Sequence, residues 1–131
     1  MRVGLDTSVV LRLLTGEPEI QARRALSEVQ EILHRGGALL ISDLVISEVY
    51  FALQYHYGMP KAEALQILAD FLNDSGVKAI GAAATVLALP GLATAKPGFV
   101  DRLIHAEYTR STAQMMTFEK PAGRLPGTRV L

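Results

Sequence analysis

The chain has 131 residues, long enough for one domain with its own apolar core. Hydrophobic residues make up 50% of it and charged residues 20%, which excludes a disordered polyelectrolyte. Thirteen basic residues balance thirteen acidic ones, so net charge makes no case for nucleic-acid binding, and the lack of cysteine excludes disulfides and thiolate metal ligands while leaving a hard, oxygen-ligated cation open.

Residues 2–6 read as a short buried strand. Asp6 interrupts the N-terminal apolar stretch too early for a secretory signal. Thr7 and Ser8 offer helix N-caps, and residues 9–14 form one short helix that Gly16 and Pro18 break. Residues 19–35 have the period of an amphipathic helix, with Ile20, Ala25, Val29, Ile32 and Leu33 on or near the inner stripe, and Gly36-Gly37 end it. Residues 38–41 are a second strand without charge. Ser42 can cap the next helix, which stops at Gly58-Met59-Pro60, and residues 61–73 are a further helix. A third strand is expected at 77–80, then one or two short helices in 82–95, interrupted by Pro90-Gly91. Residues 99–110 are a helix and 114–118 a strand. The tail from 120 is mostly irregular, with a final strand at 129–131. No uninterrupted run of about 18 apolar residues suits a membrane span, so no membrane association and a cytoplasmic location are expected.

Alternating strands and helices with uncharged strands indicate an α/β fold: a three-layer α/β/α sandwich with a central, mostly parallel sheet, in a single domain over 1–131. In such sheets, sites form at the carboxyl ends of the strands. Four acids stand at such places or inside apolar elements. Asp6 closes the first strand. Glu48 is the only charge between Leu44 and Leu53. Asp101 lies in the first turn of the helix after Pro97-Gly98, and Glu119 follows the strand ending at Phe118. Each has an ordinary alternative. Asp6 suits a turn or cap, Glu48 a salt bridge to an arginine, Asp101 the helix dipole, and Glu119 a solvated loop. Taken together, several carboxylates converging near a core call for a positive partner, and a divalent cation supplies one for all of them. Asp43, at the start of its helix, is an ordinary helix-dipole acid. His105, one turn after Asp101, reads as a packing or supporting residue.

The motifs around these acids resemble the PIN-domain family. Val3-Gly4-Leu5-Asp6-Thr7-Ser8-Val9-Val10 resembles its opening motif. Ile41-Ser42-Asp43-Leu44-Val45-Ile46-Ser47-Glu48-Val49 resembles the second, and Gly98-Phe99-Val100-Asp101-Arg102-Leu103-Ile104-His105-Ala106 the third. Met116-Thr117-Phe118-Glu119-Lys120, followed by Arg124-Leu125-Pro126-Gly127, is similar to the end of short bacterial members. The likeness spans nearly the whole chain. It implies the three-layer fold and a Mg²⁺- or Mn²⁺-dependent endoribonuclease acting on single-stranded RNA. Short stand-alone members are commonly VapC-type toxins, held by a small antitoxin protein and often homodimeric. The family's acidic cluster falls on Asp6, Glu48, Asp101 and Glu119, with Thr7, Ser8 and Thr117 as supporting polar groups. The resemblance is imperfect at the fourth acid, where Glu119 replaces the usual Asp and extends the carboxylate by one methylene.

On this reading Asp6 and Asp101 hold the main ion, Glu48 assists or orients water, and Glu119 contacts a second ion or a coordinated water. Arg12, Lys96, Arg102, Lys120 and Arg124 are candidate phosphate contacts. A second reading is a catalytically weak or inactive PIN-like module that binds RNA or a protein partner. A haloacid-type phosphatase is disfavoured, because its Asp-x-Asp opening would need an acid where Ser8 stands. Tyr50, Phe51, Tyr55 and Tyr57 are mostly assigned to the core, with any exposed one available to an antitoxin or a second subunit.

Overall fold

The computed structural model describes residues 1–131. In chain order its elements are β1 (Arg2–Gly4), α1 (Thr7–Thr15), α2 (Glu19–His34), β2 (Ala38–Ile41), α3 (Asp43–Tyr55), α4 (Lys61–Asp74), β3 (Val77–Ala79), α5 (Ala83–Leu87), α6 (Phe99–Arg110), β4 (Met115–Thr117) and β5 (Thr128–Val130). Two 3₁₀ turns lie at Leu92–Thr94 and Lys120–Arg124. Every strand expected from the sequence is present, and every strand pairing is parallel. The α/β class is therefore the observed one. The chain divides into two compact units, Met1–Ile80 and Gly81–Leu131. No helix is long and apolar enough to cross a membrane.

In the first unit β2 is the central strand of a three-stranded sheet, with β1 on one side and β3 on the other. Gly4 is opposite Leu40, and Leu39 opposite Val77. Parallel neighbours need long connections, and the chain makes each with a helix pair: α1 and α2 carry it from β1 to β2, α3 and α4 from β2 to β3. Leu39 and Ile41 of β2 are fully buried, as are Val10, Ile46, Leu53 and Leu68 from the helices. That explains the uncharged Ala-Leu-Leu-Ile strand: a central strand buried by its neighbours has no place for an unpaired charge.

Local chemistry sets the helix ends. Gly16 closes α1 in the left-handed region at φ 72°, its N–H donating to the Arg12 carbonyl. Ser42 caps α3 by accepting from the Val45 N–H at 3.2 Å. Gly37 turns the chain into β2 against Ile32. A Cβ there would meet Ile32 Cγ2 at 2.8 Å and the Ile32 carbonyl at 3.0 Å, so a larger residue would displace α2.

Three sequence expectations fail in this unit. The first strand is not buried: Arg2 and Gly4 are exposed and Val3 is half-buried, because β1 is an edge strand with β2 on one side only. Ile20 is 84% exposed rather than on the inner stripe of α2, whose one fully buried residue is Val29. Ile20 lies nine residues before Val29, about half a helical revolution out of phase with it, and so points away from the protein. The aromatic cluster is not mostly core either. Only Tyr50 is buried, whereas Phe51, Tyr55 and Tyr57 are exposed. Phe51 and Tyr55, one turn apart, stack with centroids 6.2 Å apart on the outer face of α3.

The second unit is built on α6. Phe99 and Leu103 are buried, as are Ala83 and Val86 of α5, which packs on α6, and Leu92 of the first 3₁₀ turn. β4 pairs with β5, Met115 opposite Thr128, and the chain crosses between them through the second 3₁₀ turn. Its Ala122 is buried.

Leu39→Ala, at the middle of the central strand, is expected to lower the unfolding free energy by about 2–5 kcal/mol in urea titration. Burial pushes the Tyr50 phenol above its ordinary value of 10.0, the Gln54 hydrogen bond opposes this, and neighbouring Tyr55 adds to it. The stability gained from the neutral phenol is complete below the unfolded-state pKa and is lost as pH rises through the higher folded-state value. Tyr50→Phe is therefore expected to lose less stability than wild type above pH 10.0 when thermal unfolding is followed against pH.

Candidate functional site

The first unit holds Asp6 and Glu48. Asp6 follows β1, and Ser42 follows the adjacent parallel strand β2, so α1 and α3 start from the same edge of the sheet. The Leu5 N–H reaches the Leu40 carbonyl at 2.9 Å, carrying the pairing up to the residue before Asp6. The cap of α1 is Asp6 itself, not Thr7 or Ser8: its Oδ1 accepts from the Thr7 N–H at 2.8 Å. The capping role considered for Asp6 is thus real, and it occupies one carboxylate oxygen. Thr7 Oγ1 beside it is buried and has no hydrogen-bond partner, an unusual state for a polar atom cut off from water. Ser8 is exposed and borders a different, mainly apolar cavity of about 440 Å³ between α1 and α2.

Glu48 lies on α3, which packs against α1. It is exposed rather than turned into protein, and no arginine pairs with it. The ion pairs of the structure, Arg23 with Glu19 and Arg35 with Glu31, are surface pairs on α2 and its C-terminal end. The salt-bridge alternative for Glu48 therefore finds no support.

The second unit holds Asp101 and Glu119, and here the structure brings two of the four acids together. Both line one cavity of about 210 Å³. Asp101, Ile104 and Tyr108 reach it from one face of α6, where i, i+3 and i+7 lie in line. Met115, Met116 and Thr117 of β4 form the facing side, with Glu119 just beyond the strand and Ala122 from the 3₁₀ turn. Thr117 Oγ1 accepts from the Glu119 N–H at 3.0 Å and so fixes the backbone that presents the fourth carboxylate. The carboxylates of Asp101 and Glu119 form no ion pair with a basic side chain.

The remaining candidates are placed as follows. His105 Nε2 lies 2.6 Å from the Pro126 carbonyl and ties α6 to the turn before β5, a structural role. Arg102 Nε donates to the Pro97 carbonyl at 2.8 Å, and Arg124 Nη1 to the Lys96 carbonyl at 3.2 Å. Both brace the Lys96-Pro97 segment that leads into α6 and Asp101. Arg12 donates to Gln21 at 2.8 Å, between α1 and α2. Lys120 is exposed. Sequence reasoning missed Ile104, Tyr108 and Met116 as walls of the acidic cavity. The spacing from Asp101 along α6 was the available signal for the first two.

A divalent ion is the group such carboxylates suggest. The donors on offer are hard oxygens, the kind Mg²⁺ and Mn²⁺ take. Three of the four carboxylates have no protein partner, and the fourth keeps one oxygen free beside an orphaned threonine hydroxyl. The residues present therefore fit such an ion in chemistry. Neither unit by itself gathers three acidic or histidine side chains into a metal-binding group.

In a parallel α/β protein, ligands bind beyond the carboxyl ends of the strands, where Asp6 and Glu119 lie. The sequence matches the PIN domain family over residues 3–119. The chain belongs to that family, whose members are in general nucleases that use divalent metal ions. It is also similar to a solved structure from Rickettsia felis, described as VapBC2 bound to a DNA fragment from their promoter. The two share 20% identity and a TM-score of 0.43, covering 100% of this chain and 98% of that one. No curated protein matches the sequence.

The cap and the free oxygen of Asp6 are separable. Asparagine caps a helix about as well as aspartate, whereas alanine does not. In metal-free buffer Asp6→Asn is expected to keep wild-type stability, and Asp6→Ala to lose about 1 kcal/mol in urea titration.

Proposed function

We propose that this protein is a Mg²⁺- or Mn²⁺-dependent endoribonuclease that cleaves single-stranded RNA, with Asp6, Glu48, Asp101 and Glu119 as its acidic set. One observation carries this reading. In a chain of a nuclease family, the four acids in the family's motif positions are open to solvent, and no basic side chain pairs with any of them. Negative charge left uncompensated by the protein is what a cation site requires.

When bound, a divalent ion lowers the pKa of water and offsets charge on the phosphate oxygens. The chain's own contribution is positional. Asp6 supplies its free oxygen from a rigid helix start. Asp101 supplies a carboxylate from the first turn of α6, held by the braced Lys96-Pro97 segment. Glu48 orients the attacking water and receives its proton. Glu119, on its longer side chain, would help to hold the ion through water. Of the candidate phosphate contacts, Lys120 and Lys96 have no side-chain partner and are free to meet RNA phosphates.

The family match runs across both units, which supports a single PIN domain over 1–131. We assign the chain to the short, VapC-type toxins acting on RNA in the cytoplasm. The exposed Phe51–Tyr55 stack supports a protein partner, a small antitoxin or a second copy in a homodimer.

Asp6→Asn should lower Mn²⁺-dependent cleavage of single-stranded RNA on the order of 100-fold, the size of effect seen when one preorganised electrostatic group is removed. It should also abolish the stabilisation by millimolar Mn²⁺ seen as a raised melting temperature, which for wild type at 100 times Kd corresponds to about 2.7 kcal/mol of unfolding free energy. A variant that cuts as fast as wild type would overturn the assignment. Wild type that gains no stability from Mn²⁺ would instead favour a catalytically inactive binding module.

A further inference from the structure

The cavity that holds Asp101 and Glu119 has a second character. Its α6 wall is Ile104 and Tyr108, and the facing strand adds Met116. These are 44%, 47% and 63% exposed, so an apolar strip lies open beside two carboxylates. No other aromatic ring stacks on Tyr108, and its hydroxyl has no protein partner. Arg129 Nη2 sits 3.1 Å from Met116 Sδ and places a cation next to the same strand. Nothing in the acidic chemistry requires a flat, open ring one helical face along from Asp101.

The geometry points to a nucleobase subsite: Tyr108 stacks the base next to the scissile phosphate, with Ile104 and Met116 gripping its edges. This rests on the ribonuclease reading and names how the substrate is held there. Three observations select a base as the occupant. The cavity, at about 210 Å³, lies below the roughly 300–1,000 Å³ of sites for drug-sized ligands, so it takes one ring system and no more. The two carboxylates belong to the ion, and the Ile104, Tyr108 and Met116 strip beside them is apolar, which suits a neutral, flat group. Arg129 lies beside Met116, a cation close enough to the strip to meet a phosphate of the strand that carries the base. Apart from the Thr117 and Tyr108 hydroxyls and the carboxylates, the lining offers no side-chain group to read a base edge. The subsite therefore stacks any base and sets the register of the strand on the acids, with little sequence preference of its own.

The test uses the full chain and a short, labelled single-stranded oligoribonucleotide, with binding read by fluorescence anisotropy in Ca²⁺ and cleavage in Mn²⁺. Tyr108→Ala should weaken binding about tenfold, in line with the loss of one base–aromatic stack, and raise KM with little change in kcat. Tyr108→Phe should match wild type. Tyr108→Leu, which keeps apolar area without a flat ring, should resemble Tyr108→Ala. An oligonucleotide abasic at the position beside the cut should bind wild type as weakly as the intact one binds Tyr108→Ala. Melting temperatures identify any misfolded variant, and the abasic comparison on wild type decides the matter without one. If wild type cuts RNA and neither Tyr108→Ala nor the abasic site weakens binding, the subsite is wrong while the nuclease reading stands. If wild type neither binds nor cuts, both fall.

Discussion

The arrangement in the first unit depends on the parallel pairing of β1 with β2. That ladder runs to Leu5 and the Leu40 carbonyl, so Asp6 and Ser42 leave the sheet at the same edge. Each then begins a helix whose first N–H groups need an acceptor, and each supplies one from its side chain. The buried Leu39 and Ile41 hold the central strand in this register, because a slip of one residue would turn both out of the core. An acid at the end of β1 is therefore carried on one of the stiffest parts of the unit. Asp6 spends one oxygen on the helix start and keeps the other free.

The second unit solves a similar problem with different parts. Asp101 comes from the first turn of a helix, and two arginine side chains brace the segment before that helix through its carbonyls. Glu119 comes from beyond a short strand, held through its N–H by Thr117. These bonds spend cationic and hydroxyl groups on backbone, not on the carboxylates. The acids stay unneutralised although acidic and basic residues are equal in number. Charge balance over a chain says little about charge balance at a site, since pairing depends on which side chains come within about 4 Å of each other.

Much of this was legible beforehand, where the cause is local. Gly16, Gly36-Gly37 and Pro60 punctuate the helices, and short uncharged runs mark the strands. The four acids stand out because they interrupt apolar context. Where the cause is not local, reading failed. Ile20 is apolar enough for a core, but it lies on the side of α2 opposite Val29. Phe51 and Tyr55 are apolar enough for a core, but α3 presents its opposite face, with Ile46, Val49, Tyr50 and Leu53, to the protein. Arg102 and Arg124 look like free cations in sequence, and their backbone partners emerge only from folding.

The amino-acid order by itself determined the elements, their ends and the identity of the acids, because caps, breakers and hydrophobic period act over a few residues. Tertiary structure alone decided which strands are neighbours, which aromatics are buried and that Tyr108 shares a cavity with Asp101 and Glu119. Those outcomes turn on packing between residues distant in the chain, and no short-range pattern encodes which face of a helix meets which strand.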